Sequence, residues 1–159
     1  MNRTVRPARG ALSVGVACEG LRTPVAAPRI ADAARRVLRA EGVRAAMVSV
    51  TLVSPSAMAR LNRRHLGHTG ATDVISFGFT PTPGAGVVGD IYLCPHVART
   101  NARAAKCGVR EELLRLVVHG TLHVLGWDHP VDGAREASPM WRRQEKLLAG
   151  ILRRPALRA

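Results

Sequence analysis

Aromatic side chains are scarce. Phe77, Phe79, Tyr92, Trp127 and Trp141 are the full set, 3% of the chain. Proteins that hold single strands by stacking bases on rings use more of them. Any contact with nucleic acid therefore rests on backbone charge rather than on base reading. Lysine is nearly missing: of 24 basic residues only Lys106 and Lys146 are lysines. The three cysteines, Cys18, Cys94 and Cys107, are dispersed and form no C-x-x-C pair. An odd, scattered set argues against a disulfide framework and for a reducing cytoplasm, with each thiol a small buried hydrophobe. No apolar run reaches the roughly 18 residues of a membrane span. The N-terminal MNRTVRPARG is basic, but ALSVGVACEG after it is too short and glycine-broken for a signal peptide. Acids are few as well, 11 in all, which leaves a net charge of +13.

What is present suits a folded domain with an anionic partner. Hydrophobic residues make up 47% of the 159, enough for a sizeable core, and the length predicts one domain over 1–159. The basic ends near 1–10 and 153–159 are expected to be mobile. A net charge this positive favours nucleic acid as partner. The charge is uneven: residues 1–72 hold 12 arginines against three acids, and residues 73–159 hold 12 bases against eight acids. Arginine suits bidentate phosphate contacts, although a GC-rich genome produces the same bias and is the simpler account.

Periodicity predicts four strands and about five helices. Strands are expected over 11–17, 47–53, 72–79 and 87–93, from β-branched content and period-two alternation. Helices are expected over 28–41, 55–65, 96–106, 111–125 and 138–152. Ser54 followed by Pro55 reads as an N-cap and first helical position. Glycines near 42 and 108 read as stops. Arg35, Arg36 and Arg39 lie off the apolar stripe of their helix, as a solvated face or as contacts to nucleic acid. The helix at 111–125 is apolar on most sides, so it is expected to be largely buried. The fold class expected is α+β: a small four-stranded sheet, helices around it, and a metal site on a central helix.

That helix carries VVHGTLHVLGWDHP, residues 117–130. His119 and His123 are i and i+4, which places both imidazoles on one face. Gly126 is suited to stop the helix and turn the chain back, and that turn returns His129 to the same point. Three histidine nitrogens with an open fourth position make a catalytic zinc arrangement rather than a closed structural one. Nickel or copper competes on affinity. Metzincin proteases space their ligands as H-E-x-x-H-x-x-G-x-x-H. The offsets agree here, but Gly120 stands where those proteases need their glutamate base. A metal held by neutral histidines brings bound water toward a pKa of about 7 and polarises a phosphoryl oxygen, which suits phosphodiester hydrolysis. Asp128 is a candidate for handling the proton or for orienting a ligand, and equally for forming the turn before His129. Asp73, at a strand entry, either points into the site or caps a turn with Thr72. Asp90 reads as structural.

HGTLHVLGWDH resembles the H-G-x-L-H-L-x-G-x-D-H signature of the YbeY endoribonucleases, the bacterial ribosomal RNA maturation factors. ATDVISF at 71–77, GDIYLCP at 89–95, Met140 and Glu145 agree with it, and the resemblance runs from about Val48 to Leu148. It implies a mixed sheet, a zinc-dependent single-strand endoribonuclease, and ribosomal RNA with the small ribosomal subunit as partners. The family pattern L-N-x-x-x-R-G implies an arginine acting at the site. Here the stretch is Leu61-Asn62-Arg63-Arg64-His65-Leu66-Gly67, with Leu66 in the arginine position. Arg63 or Arg64 then stands in for it, or His65 and His68 meet the phosphate, or the loop is simply solvated. Two other functions stay open: a non-enzymatic ribosome-assembly factor with a structural metal, and another metallohydrolase such as a peptidase.

Overall fold

The structure is a computed structural model that describes residues 10–79, 86–131 and 133–153. The terminal arms expected to be mobile lie almost wholly outside these residues, as does most of the turn-rich 80–86 stretch. The chain runs β1 (Leu12–Cys18), α1 (Ala27–Ala40), β2 (Ala46–Leu52), α2 (Pro55–Leu66), β3 (Val74–Phe79), β4 (Val87–Leu93), α3 (Pro95–Ala105), α4 (Val109–Val124), a 3-10 turn (Arg135–Ala137) and α5 (Pro139–Arg153). The expected elements are all there, with ends shifted by a residue or two.

The four strands form one sheet in the order β1-β2-β4-β3. β1, β2 and β4 are parallel, with Leu12 opposite Ala46 and Ala46 opposite Val87. β3 runs antiparallel on the edge, with Val74 opposite Leu93. The parallel pair β1-β2 needs a crossover, and α1 supplies it. One face of the sheet carries the main core. Val48, Val50, Leu52, Ile91 and Leu93 meet Ile30, Val37 and Leu38 of α1 and Leu113, Val117 and Leu122 of α4 there. The other face has a smaller cluster, in which Met58 of α2 meets Val53, Ile75 and Cys94. Asp90 lies on that lightly covered face, where it accepts a hydrogen bond from its register partner Ser49 (2.6 Å).

Local chemistry explains the helix ends. Ser54 accepts the N–H of Ala57 (3.2 Å) with Pro55 at the first position, and Gly67 closes α2 with φ 67°. The stop between α3 and α4 differs from expectation. Lys106, not Gly108, takes the left-handed conformation (φ 54°), and Gly108 has an ordinary φ of −72° as the residue before α4. Lys106 is the one non-glycine residue with positive φ among those described.

Three glycines set the height of α4 above the sheet. A Cβ on Gly78 of β3 would lie 2.7 Å from the Val124 carbonyl oxygen, and one on Gly89 of β4 would run into the Val124 side chain. From the other side, a Cβ on Gly120 would sit 2.8 Å from Cγ2 of Ile91. Contacts that short force neighbours to move. The helix that bears the histidines is thus seated on a floor cleared of side chains at both ends of the contact.

Candidate metal centre

His119 and His123 project from the last two turns of α4. The helix then stops in a Schellman turn: Trp127 N–H donates to the Leu122 carbonyl (3.0 Å) and Gly126 N–H to that of His123 (2.9 Å). Gly126 adopts φ 94°, a conformation that strains other residues. The turn brings His129 back over the helix end. The three rings face one another with centroids 4.5, 5.1 and 5.0 Å apart. One ligand nitrogen from each lies within 4.8 Å of the others.

The outer nitrogen of each ring is held by an oxygen. Nδ1 of His119 donates to Oε1 of Gln144 (2.7 Å), Nδ1 of His123 to the carbonyl of Trp127 (2.8 Å), and Nδ1 of His129 to the carbonyl of Pro130 (2.9 Å). Backbone carbonyls only accept, so His123 and His129 carry the proton on Nδ1. The Gln144 amide is oriented by its other end, where Nε2 lies 3.4 Å from Oε1 of Glu145. Its oxygen therefore faces His119. All three imidazoles keep Nε2 as a lone-pair donor, the state a metal needs.

Burial favours the neutral form of His119 and His123. His119 is 7% exposed and its pKa falls from 6.5 to about 4. Desolvation is the largest cause; the Gln144 bond works the other way, and His123, Arg135 and His129 push it lower still. His123 is also lowered, first by desolvation, with the Trp127 carbonyl opposing.

A cleft of about 790 Å³ opens beside His119. Asp73, Asn101, Arg115, Arg135, Trp141 and Gln144 are among its walls. Asp73 is already engaged: Oδ1 accepts Val74 N–H (2.8 Å) and Thr72 Oγ1 (3.4 Å), and Oδ2 accepts the Asn101 amide (2.9 Å). Asp128 is exposed and accepts the N–H of His129 (2.8 Å), while its charge acts on His123. Arg63, Arg64, His65 and His68 are exposed at the end of α2 and in the loop after it, and none of them lines the cleft. His65 packs edge-on against Phe77 (5.1 Å). Leu66 is 49% exposed.

Several residues at the centre escape sequence reasoning. Gln144 is 1% exposed on α5 and belongs to a buried stripe with Met140, Leu148 and Ile151. A polar residue on an apolar stripe is a signal, but it does not name its partner. Arg115 binds Glu111, Glu112 and Glu145 at 3.0, 2.7 and 2.8 Å and ties α4 to α5 beside the cleft. Glu41, after α1, accepts Trp127 Nε1 (3.2 Å) and Arg143 Nε (2.6 Å), which steadies the turn holding His123 and His129.

Comparison with known proteins agrees with this geometry. Residues 20–151 match the family model described as Endoribonuclease YbeY. Endoribonuclease YbeY of Frankia casuarinae is 41% identical over 151 residues, covering 87% of this chain and 74% of the relative. That of Micrococcus luteus is 39% identical over 118 residues, covering 70% and 74%. The solution structure of TM1509 from Thermotoga maritima superposes with a TM-score of 0.59 at 26% identity, over 87% of this chain and 88% of the other. A histidine trio on a buried helix, a mixed four-stranded sheet and a match across most of the length place the chain in the YbeY endoribonuclease family.

Proposed function

We propose that the chain is a metal-dependent endoribonuclease of one domain, hydrolysing phosphodiesters in single-stranded RNA, with ribosomal RNA in the small subunit as its substrate. The observation that carries this reading is the convergence of three histidines, each oriented through Nδ1. His119, His123 and His129 would hold the ion, and an all-nitrogen set of neutral donors suits zinc. Bound there, the ion supplies Lewis acidity and a water brought toward neutral pKa. Gln144 and the carbonyls of Trp127 and Pro130 are uncharged, so the site keeps the full charge of its ion.

The protein's own groups take the remaining roles. Asp128, exposed beside His123 and His129, handles the proton. Asp73 shapes the cleft wall next to His119. Arg63, Arg64, His65 and His68 meet the RNA backbone from the α2 side. The peptidase alternative loses support at Gly120, which faces Ile91 and Val74 of the sheet. A glutamate there would collide with the core instead of reaching the site. A cytoplasmic setting fits three free cysteines; no helix among the described residues is long and apolar enough to cross a membrane.

Leu66 in the arginine position favours a second reading, a non-enzymatic ribosome-assembly factor with a structural metal. Cleavage of single-stranded RNA by wild type and by His129→Ala separates the two. The nuclease reading expects chelator-sensitive cutting that the variant lacks. Equal cutting by both proteins, with contaminating nucleases removed, would exclude the histidines as catalysts. RNA binding without cleavage by metal-loaded wild type would favour the assembly factor.

A further inference from the structure

The flank of α5 turned away from the histidines borders a second cleft, of about 990 Å³, between α5 and α1. Arg36, Arg39, Arg143, Lys146 and Arg153 surround it, with Asp32 the one acid. Arg36 pairs with Asp32 (3.0 Å) and Arg143 with Glu41 (2.6 Å). Arg39, Lys146 and Arg153 are exposed and form no ion pair among the described residues. Arg39 also borders a neighbouring depression of about 370 Å³ with Arg35 and Arg44. Arg39 thus lines both depressions, which together make a basic track. No aromatic residue lines either of them.

We infer that this track holds the sugar-phosphate backbone of an RNA strand, outside the histidine cleft. The inference rests on the nuclease reading for its choice of polyanion. Four features favour RNA. The cations are mainly arginines, whose planar forks match phosphate oxygens. They line two depressions that share Arg39 rather than a single one. Aromatic anchors, which protein interfaces favour as hot spots, are missing, and the lack of stacking rings confines any strand to backbone contacts. Finally, hydrogen bonds tie the track to the metal centre: Glu41 links Arg143 on its rim to Trp127, whose carbonyl holds His123. A strand resting here is gripped without regard to sequence, on the flank of α5 opposite Gln144.

The test neutralises two track residues, Arg39→Gln with Lys146→Gln, in the full chain. A matched pair on α3, Arg99→Gln with Arg103→Gln, removes the same charge elsewhere. Anisotropy of a labelled single-stranded RNA is measured at two salt concentrations. Metal content and circular dichroism check the fold. The track pair should weaken binding about tenfold at low salt and flatten the slope of log affinity against log salt by about 1.4, the value for two phosphate contacts on a single strand. The α3 pair should do less on both counts. Equal losses for the two pairs would reduce the effect to net charge and overturn the track. So would unchanged RNA binding by a folded track pair, including the case where it loses affinity for phosphatidylserine vesicles instead. Wild type that binds and cuts RNA while the track pair behaves identically overturns the track alone. Wild type that binds no RNA overturns the nuclease reading with it.

Discussion

Two clefts flank α5, and they are built on opposite principles. The one beside His119 is organised by buried groups that leave little to chance: a histidine 7% exposed, a glutamine 1% exposed, and an arginine bound to three carboxylates. The one toward α1 presents the exposed cations Arg39, Lys146 and Arg153 beside the ion-paired Arg36 and Arg143. Chemistry requires fixed geometry, so its groups are desolvated and hydrogen-bonded. A polyanion of any sequence needs only a field of the right sign, so its partners stay in water. Helix α5 serves both, presenting Gln144 on one flank and Lys146 on the other.

The largest effect that would break this division is loss of the metal. Wild type should carry about one ion per chain by elemental analysis, as a single three-histidine site does, and His123→Ala should lose most of it while still binding RNA. Equal metal in the variant would remove the centre from the histidines. RNA binding lost along with the metal would show that the two clefts are not independent.

Acid sharpens the contrast, because arginines stay charged at every pH while the histidines titrate. The folded pKa of His119 is about 4, below its ordinary 6.5. Between those values the unfolded chain binds the proton and the folded chain does not. Stability from this group is therefore full above pH 6.5, declines as pH falls toward 4, and is lost below. The shift corresponds to an effect on the order of 3 kcal/mol at most in the metal-free protein. Urea midpoints of wild type and His119→Asn across that range should converge toward low pH. Parallel curves would remove the histidine as the source.

Salt acts on the other cleft. If about five phosphates of a single strand are neutralised, the slope of log affinity against log salt is about −3.5, roughly a hundredfold loss for a fourfold rise in salt. Metal content should not change over the same range. A salt-independent affinity would contradict the electrostatic account of binding.

The smallest effect probes the buried partner. Gln144→Leu keeps the volume but leaves Nδ1 of His119 without its acceptor. Losing such an orienting partner costs about 10–100-fold in metal affinity, to be read by competition with a chromophoric chelator. Gln144→Glu should restore the bond and bind the ion at least as tightly. Unchanged affinity in Gln144→Leu would make the residue a packing element only.

The histidine trio was legible in the sequence because its geometry is local. Helical periodicity puts His119 over His123, and a left-handed glycine at 126 turns His129 back; both follow from backbone sterics within a dozen residues. The elements were legible for the same reason, and so was the excess of positive charge. The stop after α3 was not, because Lys106 takes a conformation that glycine would take more cheaply. Gln144 comes from another helix, and its bond to His119 exists only because Met140, Leu148 and Ile151 pack α5 against the core.

Sequence alone therefore determined which residues can meet along one helix and its turn, and the sign of the partner the protein favours. Tertiary structure decided the rest. It set α4 down on Gly78 and Gly89, turned Gly120 into the sheet, and gave His119 its neutral state by burying it. It also brought Arg39 of α1 and Lys146 of α5 to one cleft. Contacts between distant segments depend on how apolar faces pack, and desolvation depends on everything around a group, so neither can be read from a spacing.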